Sequence, residues 1–193
     1  AIAWDAAIAA ADCSRARVMR ISPEHGGELP LEITVLQALT KGARFDEVVE
    51  KCVELGARRI VPVRCERSES DASKHRVERW RRIAKAAAQQ SRRNSVPVVD
   101  DPRTFAEAVA SVSAPLIVAS ELAPRGSLAA ALRAHADSNA YAIAVGPEGS
   151  FTDAELAMAK GVGASFVSLG PAILRTETAA AALLAAIASA RVW

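Results

Sequence analysis

Two stretches combine a glycine–proline step with ionisable side chains. Residues 145–151 read VGPEGSF, and residues 169–178 read LGPAILRTET. Glycine admits left-handed backbone and the close approach of a ligand, while proline fixes a turn and removes a donor. Loops of this kind present main-chain N–H and C=O groups as a rigid surface, to which Glu148, Arg175 and Glu177 add charge. Such a surface can bind phosphate, run acid–base chemistry, or hold a neutral or cationic ligand. A phosphate loop needs the run G-x-x-x-x-G-K-[ST], and neither stretch supplies the lysine. The G-x-G-x-x-G fingerprint is absent too. A carboxylate in the middle of GPEGS would also sit where a phosphate must go. A neutral or cationic ligand read by backbone groups fits better.

The elements around these loops give them a common location. YAIAV precedes the first loop, ASFVSLG runs into the second, and PLIVASE precedes a third, SELAPRG at 120–126. All three runs read as buried strands. LEITVLQAL and RIVPVRC are two more strands. Between them, RFDEVVEKCVELG places Phe45, Val48, Val49, Cys52 and Val53 at helical spacing, with Gly56 as the stop. The spacing predicts a long helix over 75–93, with Trp80, Ile83, Ala84 and Ala87 on one face. SLAAALRAHA is a short helix for which Ser127 is a candidate cap. Thr152 and Glu155 form a T-x-x-E capping box for the next helix. TETAAAALLAAIASARVW is the last. Strand–helix alternation with apolar strands implies an α/β fold, a parallel sheet covered by helices on both faces. Ligands of such sheets bind at the carboxyl ends of strands, where all three loops lie.

The first residues differ. Trp4 to Ile21 is strand-like, and SPEHGGELP at 22–30 is a turn-rich boundary. About thirty residues bury little core alone. They read as the tail of a larger β-rich unit, or as strands docked on the main domain. No apolar run approaches the about 20 residues that span a bilayer. Asp5, Asp12 and Arg15 break up any secretory signal, and the chain lacks a starting Met. Cys13, Cys52 and Cys65 are too scattered for a disulfide framework and read as small buried hydrophobes of a reducing compartment. His25, His75 and His135 form no metal-ligand spacing, so a metal enzyme is not expected. Residues 74–93, KHRVERWRRIAKAAAQQSRR, concentrate positive charge as a chain that meets a polyanion would.

Four segments together resemble a known family. VGPEGSFTDAEL and LGPAILRTETAAAALLA resemble the two signature segments of the ribosomal RNA uridine-N3 methyltransferases, the RsmE family of the SPOUT superfamily. ALTKGARFDEVVEKCVELGARRIVPVRCERS and RWRRIAKAAAQQSRRNSVPVV are similar to two further segments of that family, in the same order. The resemblance runs from about residue 30 to the end. It implies a C-terminal trefoil knot, which general topology rules would not predict. It further implies S-adenosylmethionine as cofactor, held in the knotted loops without a metal, and a cytoplasmic homodimer. The implied substrate is uridine N3 in 16S ribosomal RNA of the small subunit. Residues 1–28 are then the remnant of an N-terminal PUA-like RNA-binding β-barrel, and residues 29–193 the SPOUT methyltransferase domain. Two alternatives stay open: the same chemistry on another RNA, and a non-catalytic RNA-binding or ribosome-assembly protein. Ser150, Gln89, Arg92 and Ala172 depart from the family's usual Gly, Glu, Gly and Arg. The Ser150 change is expected to be mild because serine is small.

With the resemblance, the site residues take roles. Arg175 is the first choice to stabilise charge on the uracil oxygens, unless it is spent on a salt bridge with Glu148 or Glu177. Glu148 and Glu177 are catalytic candidates that accept the N3 proton or orient Arg175, and the sequence does not choose between them. The cofactor-binding candidates are Ser120, Glu121, Gly146, Pro147, Gly149, Leu169, Gly170, Ile173, Leu174, Thr176, Thr178 and Ala179. Thr176 and Thr178 are alternatively caps of the last helix. RNA-binding candidates are Arg67, Arg79, Arg82, Lys85, Arg92 and Arg93. The last helix is apolar or small around its circumference, which implies burial on more than one face and a dimer contact.

Overall fold

The computed structural model describes residues 5–11, 16–22, 28–68 and 72–192. β1 (Asp5–Ala11) and β2 (Ala16–Ser22) pair antiparallel as a two-stranded sheet. Most of the turn-rich boundary, like Cys13 and His25, lies outside the described residues.

The main sheet has seven strands: β3 (Glu32–Ala38), β4 (Arg59–Arg64), β5 (Val98–Val99), β6 (Arg103–Thr104), β7 (Leu116–Ala119), β8 (Ala140–Val145) and β9 (Ser165–Val167). Their order is β5-β4-β3-β8-β7-β9, with β6 also beside β4, and every pairing is parallel. Among the described residues six helices accompany them: α1 (Arg44–Glu54), α2 (Lys74–Gln90), α3 (Phe105–Ala110), α4 (Ser127–Ala134), α5 (Asp153–Gly161) and α6 (Thr176–Arg191). The sheet is covered on both faces as expected. Alternate residues of β3 show why: Ile33 and Val35 join α1, α2 and α6 in one apolar layer, while Leu36 and Ala38 join Phe105, Phe151 and Ala159 in the other. Among the described residues no helix is long and apolar enough to cross a membrane.

Local sequence explains most of these elements. All five apolar residues expected on α1 are buried. Phe45 stacks on Trp80 of α2 with ring centroids 4.2 Å apart, which locks the two helices together. Gly56 ends α1 at φ +100°, and a Cβ there would lie 2.4 Å from the Leu29 side chain. Only glycine satisfies both the backbone and the space. The Thr152–Glu155 capping box forms at α5, and Glu155 also accepts the Glu66 N–H at 2.9 Å.

Two capping expectations are corrected. Gly126, at φ +77°, occupies the N-cap of α4, and the Ser127 hydroxyl instead accepts the Ser168 N–H at 2.8 Å. At α6 the N-cap is Arg175 and no side chain caps the helix, so neither Thr176 nor Thr178 does. β5, β6 and α3 are absent from the sequence reading. Two-residue strands and a six-residue helix carry too little periodicity. The Thr104–Glu107 capping box before α3 was the available signal.

Candidate functional site

β8, β7 and β9 are adjacent in the sheet, so the loops at their carboxyl ends lie side by side. They are tied to one another by backbone and hydroxyl bonds. Ser120 N–H donates to the Val167 carbonyl at 2.9 Å, which holds the third loop to β9. Thr176 donates its hydroxyl proton to the Gly146 carbonyl at 2.7 Å and accepts from Gln37 Nε2 at 2.9 Å. The loops enclose a cavity of about 620 Å³.

Ser120, Glu121, Gly146, Pro147, Leu169, Gly170, Ile173, Leu174, Thr176 and Ala179 all line this cavity, as do Glu148, Arg175 and Glu177. Two expected cofactor residues do not. Thr178 is exposed on the first turn of α6. Gly149 is exposed outside the lining, and its carbonyl accepts from Arg67 Nη1 at 2.9 Å. A Cβ on Gly149 would come 3.3 Å from the Arg67 Cβ. Arg67, expected to meet RNA, thus reaches the rim of the same cavity.

The turn 147–150 is closed by a Ser150 N–H bond to the Pro147 carbonyl at 2.9 Å. Ser150 adopts φ +59°. What this position asks of its residue is therefore left-handed backbone, where an L residue costs roughly 1–2 kcal/mol, rather than small size. Ser150 Oγ in turn donates to Glu121 Oε1 at 2.6 Å and links two loops.

Charges around the cavity are arranged unevenly. Glu148 pairs with Arg44 at 2.8 Å, both half-exposed, rather than with Arg175. Arg175 is exposed and, among the described residues, its guanidinium carries no hydrogen bond or ion pair, so the expected alternative of a salt bridge to Glu148 or Glu177 is not realised. Glu121, Glu148, Asp153 and Glu177 bring four carboxylates to the lining. Leu122 and Ile173, more than four-fifths exposed, form apolar projections at the same cavity. Arg44, Gln37, Phe151 and Asp153 are residues that the sequence reading missed. Arg44 opens an amphipathic helix and Gln37 sits within an apolar strand, and no spacing rule connects either to a loop more than a hundred residues away.

The basic candidates on α2 and just beyond it separate by exposure and pairing. Arg82 and Lys85 are exposed on α2 and have no partner among the described residues. Arg79 is exposed but pairs with Asp46 at 2.8 Å. Arg92 is exposed at φ +55°. Arg93 corrects the expectation. Its side chain is 1% exposed, bonded to Glu28 at 2.7 Å and to the Val53 and Ala57 carbonyls at 3.0 and 2.6 Å. A guanidinium so enclosed has no face to offer a phosphate. The end of α2 explains its direction. Arg92 in left-handed conformation, Arg93 N–H on the Ala88 carbonyl and Arg92 N–H on that of Gln89 make a Schellman motif that turns the chain inward.

Comparison with known proteins agrees with this geometry. The ribosomal RNA small subunit methyltransferase E of a Synechocystis species is 40% identical over 83% of this chain and 54% of its own length. That of Bacillus subtilis is 35% identical over 83% of this chain and 66% of its length. The chain therefore spans between about half and two thirds of these curated relatives. Among solved structures, a ribosomal RNA small subunit methyltransferase E from Neisseria gonorrhoeae bound to S-adenosyl methionine superposes with a TM-score of 0.77 at 34% identity, covering 91% of this chain and 72% of that one. The family model described as RNA methyltransferase domain matches residues 27–188, which include the whole parallel sheet and the cavity, and the chain belongs to that family.

Proposed function

We propose that this chain methylates N3 of a uridine in 16S ribosomal RNA, with S-adenosylmethionine as the methyl donor and no metal. The observation that carries the reading is the convergence of three strand-end loops on one cavity of about 620 Å³. Pockets of that scale enclose ligands of nucleoside-cofactor size. Gly146 and Gly170 allow close backbone approach, and four lining carboxylates outnumber the three guanidiniums of Arg44, Arg67 and Arg175, which suits a cationic sulfonium better than a phosphate. Gly146, Leu169, Gly170, Ile173, Leu174 and Ala179 would hold the donor with backbone and apolar surface, and Ser120, Glu121 and Thr176 would add polar contacts.

S-adenosylmethionine supplies, when bound, a methyl group already activated by its sulfonium. What the chain must do is orient the uracil and manage its N3 proton, so positioning dominates. Arg175, with its guanidinium unpaired, is available to the charge that spreads onto the uracil oxygens as the proton leaves. Glu148 and Glu177 remain the proton acceptors to compare. Arg44 occupies one oxygen of Glu148, which leaves Glu177 the less encumbered of the two.

Arg67, Arg79, Arg82, Lys85 and Arg92 are read as phosphate contacts around this centre. Residues 29–193 form the methyltransferase domain, and residues 1–28 the end of a PUA-like RNA-binding barrel. β9 lies at one edge of the sheet, yet the following α6 packs on β8, β3 and α1 near its middle. That return path supports a SPOUT trefoil knot. Half-buried Ala181, Ala182, Ala185 and Ala186 on α6 support a homodimer contact, and the reading places the enzyme in the cytoplasm.

Titration calorimetry with S-adenosylmethionine, and mapping of 3-methyluridine in ribosomal RNA from cells lacking the gene, test the proposal. Donor binding and loss of the modification are expected. A folded protein that binds no donor would defeat the enzyme reading, and an unchanged modification level would defeat the assignment of target.

A further inference from the structure

A polar side chain lies where an apolar one would pack better. Gln37 is fully buried in the central strand β3, on the face that carries Val35 and Leu39. Its Oε1 has no hydrogen-bond partner. A buried amide oxygen left so costs free energy, because the bonds it made to water are not replaced. The compensation lies on the amide nitrogen, which donates to Thr176 Oγ1 at 2.9 Å and to the Ala38 carbonyl at 3.2 Å. The direction of these bonds is forced. The Gly146 carbonyl, 2.7 Å from the Thr176 hydroxyl, has no proton to give, so Thr176 must donate there. Thr176 then meets Gln37 only as an acceptor. An amide oxygen in place of Nε2 would face lone pairs of both Thr176 and Ala38, which excludes the flipped amide.

A one-way relay therefore runs from Gln37 through Thr176 to Gly146. It joins the central strand, the first residue of α6 and the first residue after β8. Gln37 and Val145 are register partners across β3 and β8, so the relay starts beside the residue that leads into the Gly146 loop, in the middle of the sheet. Thr176 and Gly146 line the cavity and Gln37 does not.

We infer that Gln37 is a positioning residue for the methyl-donor pocket. Through the Thr176 hydroxyl it holds the 146–151 loop and the start of α6 together, and so sets donor affinity rather than the transfer step. The inference rests on the proposed function. Gln37→Met keeps the length and burial and removes both donors. In titration calorimetry on the whole chain, its dissociation constant for S-adenosylmethionine is expected to rise about tenfold, a typical consequence of one lost buried bond. Thr176→Val should weaken binding similarly, and the double variant should bind no more weakly than Thr176→Val alone. Without donor, amide exchange of the 145–151 peptide should accelerate in Gln37→Met while that of residues 78–88 in α2 stays constant. Binding of Gln37→Met within twofold of the parent, or losses that multiply in the double variant, would overturn the relay. A parent chain that binds no donor overturns the proposed function instead. Loop exchange then decides for Gln37, and unchanged exchange at 145–151 defeats it.

Discussion

Replacing Arg93 by methionine should separate a buried structural cation from an RNA contact. The guanidinium bonds Glu28 through Nε at 3.3 Å and Nη2 at 2.7 Å, and Nη1 bridges the Val53 and Ala57 carbonyls at the end of α1. Methionine would fill much of the space and supply none of these donors. Removing one member of a buried ion pair costs about 3–5 kcal/mol, because the other charge stays behind. Glu28 keeps Arg58 at 3.2 Å and the Ser95 N–H and hydroxyl at 3.0 Å, which places the loss near the lower end, about 3 kcal/mol. For a chain of this size that is a fall in Tm of roughly 6–12 °C. The pH dependence adds a signature. Burial alone would raise the Glu28 carboxyl, but the bonds and charge of Arg93, with the Ser95 donors, outweigh it and hold the group below its usual value. A depressed folded pKa stabilises above the unfolded value, about 4.3, and the contribution is lost as pH falls through the folded value. The gap in Tm between parent and variant should therefore be widest near neutral pH and narrow below about pH 4. Thermal unfolding followed by circular dichroism reads both effects, and the salt dependence of RNA binding should not change. An unaltered Tm together with weakened RNA affinity would refute the reasoning.

Alanine at Arg82 or at Lys85 should weaken RNA binding and reduce the slope of log affinity against log salt by about 1 each, read by filter binding. The same change at Arg79, whose charge is already shared with Asp46, should do less. Arg92→Gly should stabilise the chain by about 1 kcal/mol in thermal unfolding, since the exposed residue sits at φ +55°. Burial pushes the Cys52 thiol up to about 12, and burial followed by the Glu155 charge pushes Cys65 up as well. Peptide mapping after iodoacetamide treatment at pH 8 should find neither labelled in the native protein.

Legibility in the sequence followed the range of the interactions. α1 and the α5 capping box depend on residues within a few positions of one another, and both form as read. Ser127 failed as a cap because Gly126, free to adopt φ +77°, takes that position and the hydroxyl finds Ser168. The glycine loops were recognisable as a ligand surface, and the structure gathers nearly all their expected residues around one cavity. Gln37 stayed hidden because a lone amide in an apolar strand gives no periodic signal, and its partners Thr176 and Gly146 are distant in the chain.

By itself the sequence determined the alternation of strands and helices, the parallel sheet with two apolar layers, and the strand ends at which a ligand must sit. Those follow from periodicity and turn chemistry, which act locally. The tertiary structure alone decided which charges are free. Arg82 and Arg93 look alike in a basic stretch. The Schellman turn at Arg92 sends Arg93 beneath α1 to meet Glu28, while Arg82 stays in water. Arg175 and Glu148 sit on neighbouring loops, yet Arg44 from the start of α1 takes the carboxylate and leaves the guanidinium of Arg175 open. Charge pairing is settled by whichever groups folding brings within about 4 Å, and spacing along the chain carries no record of it.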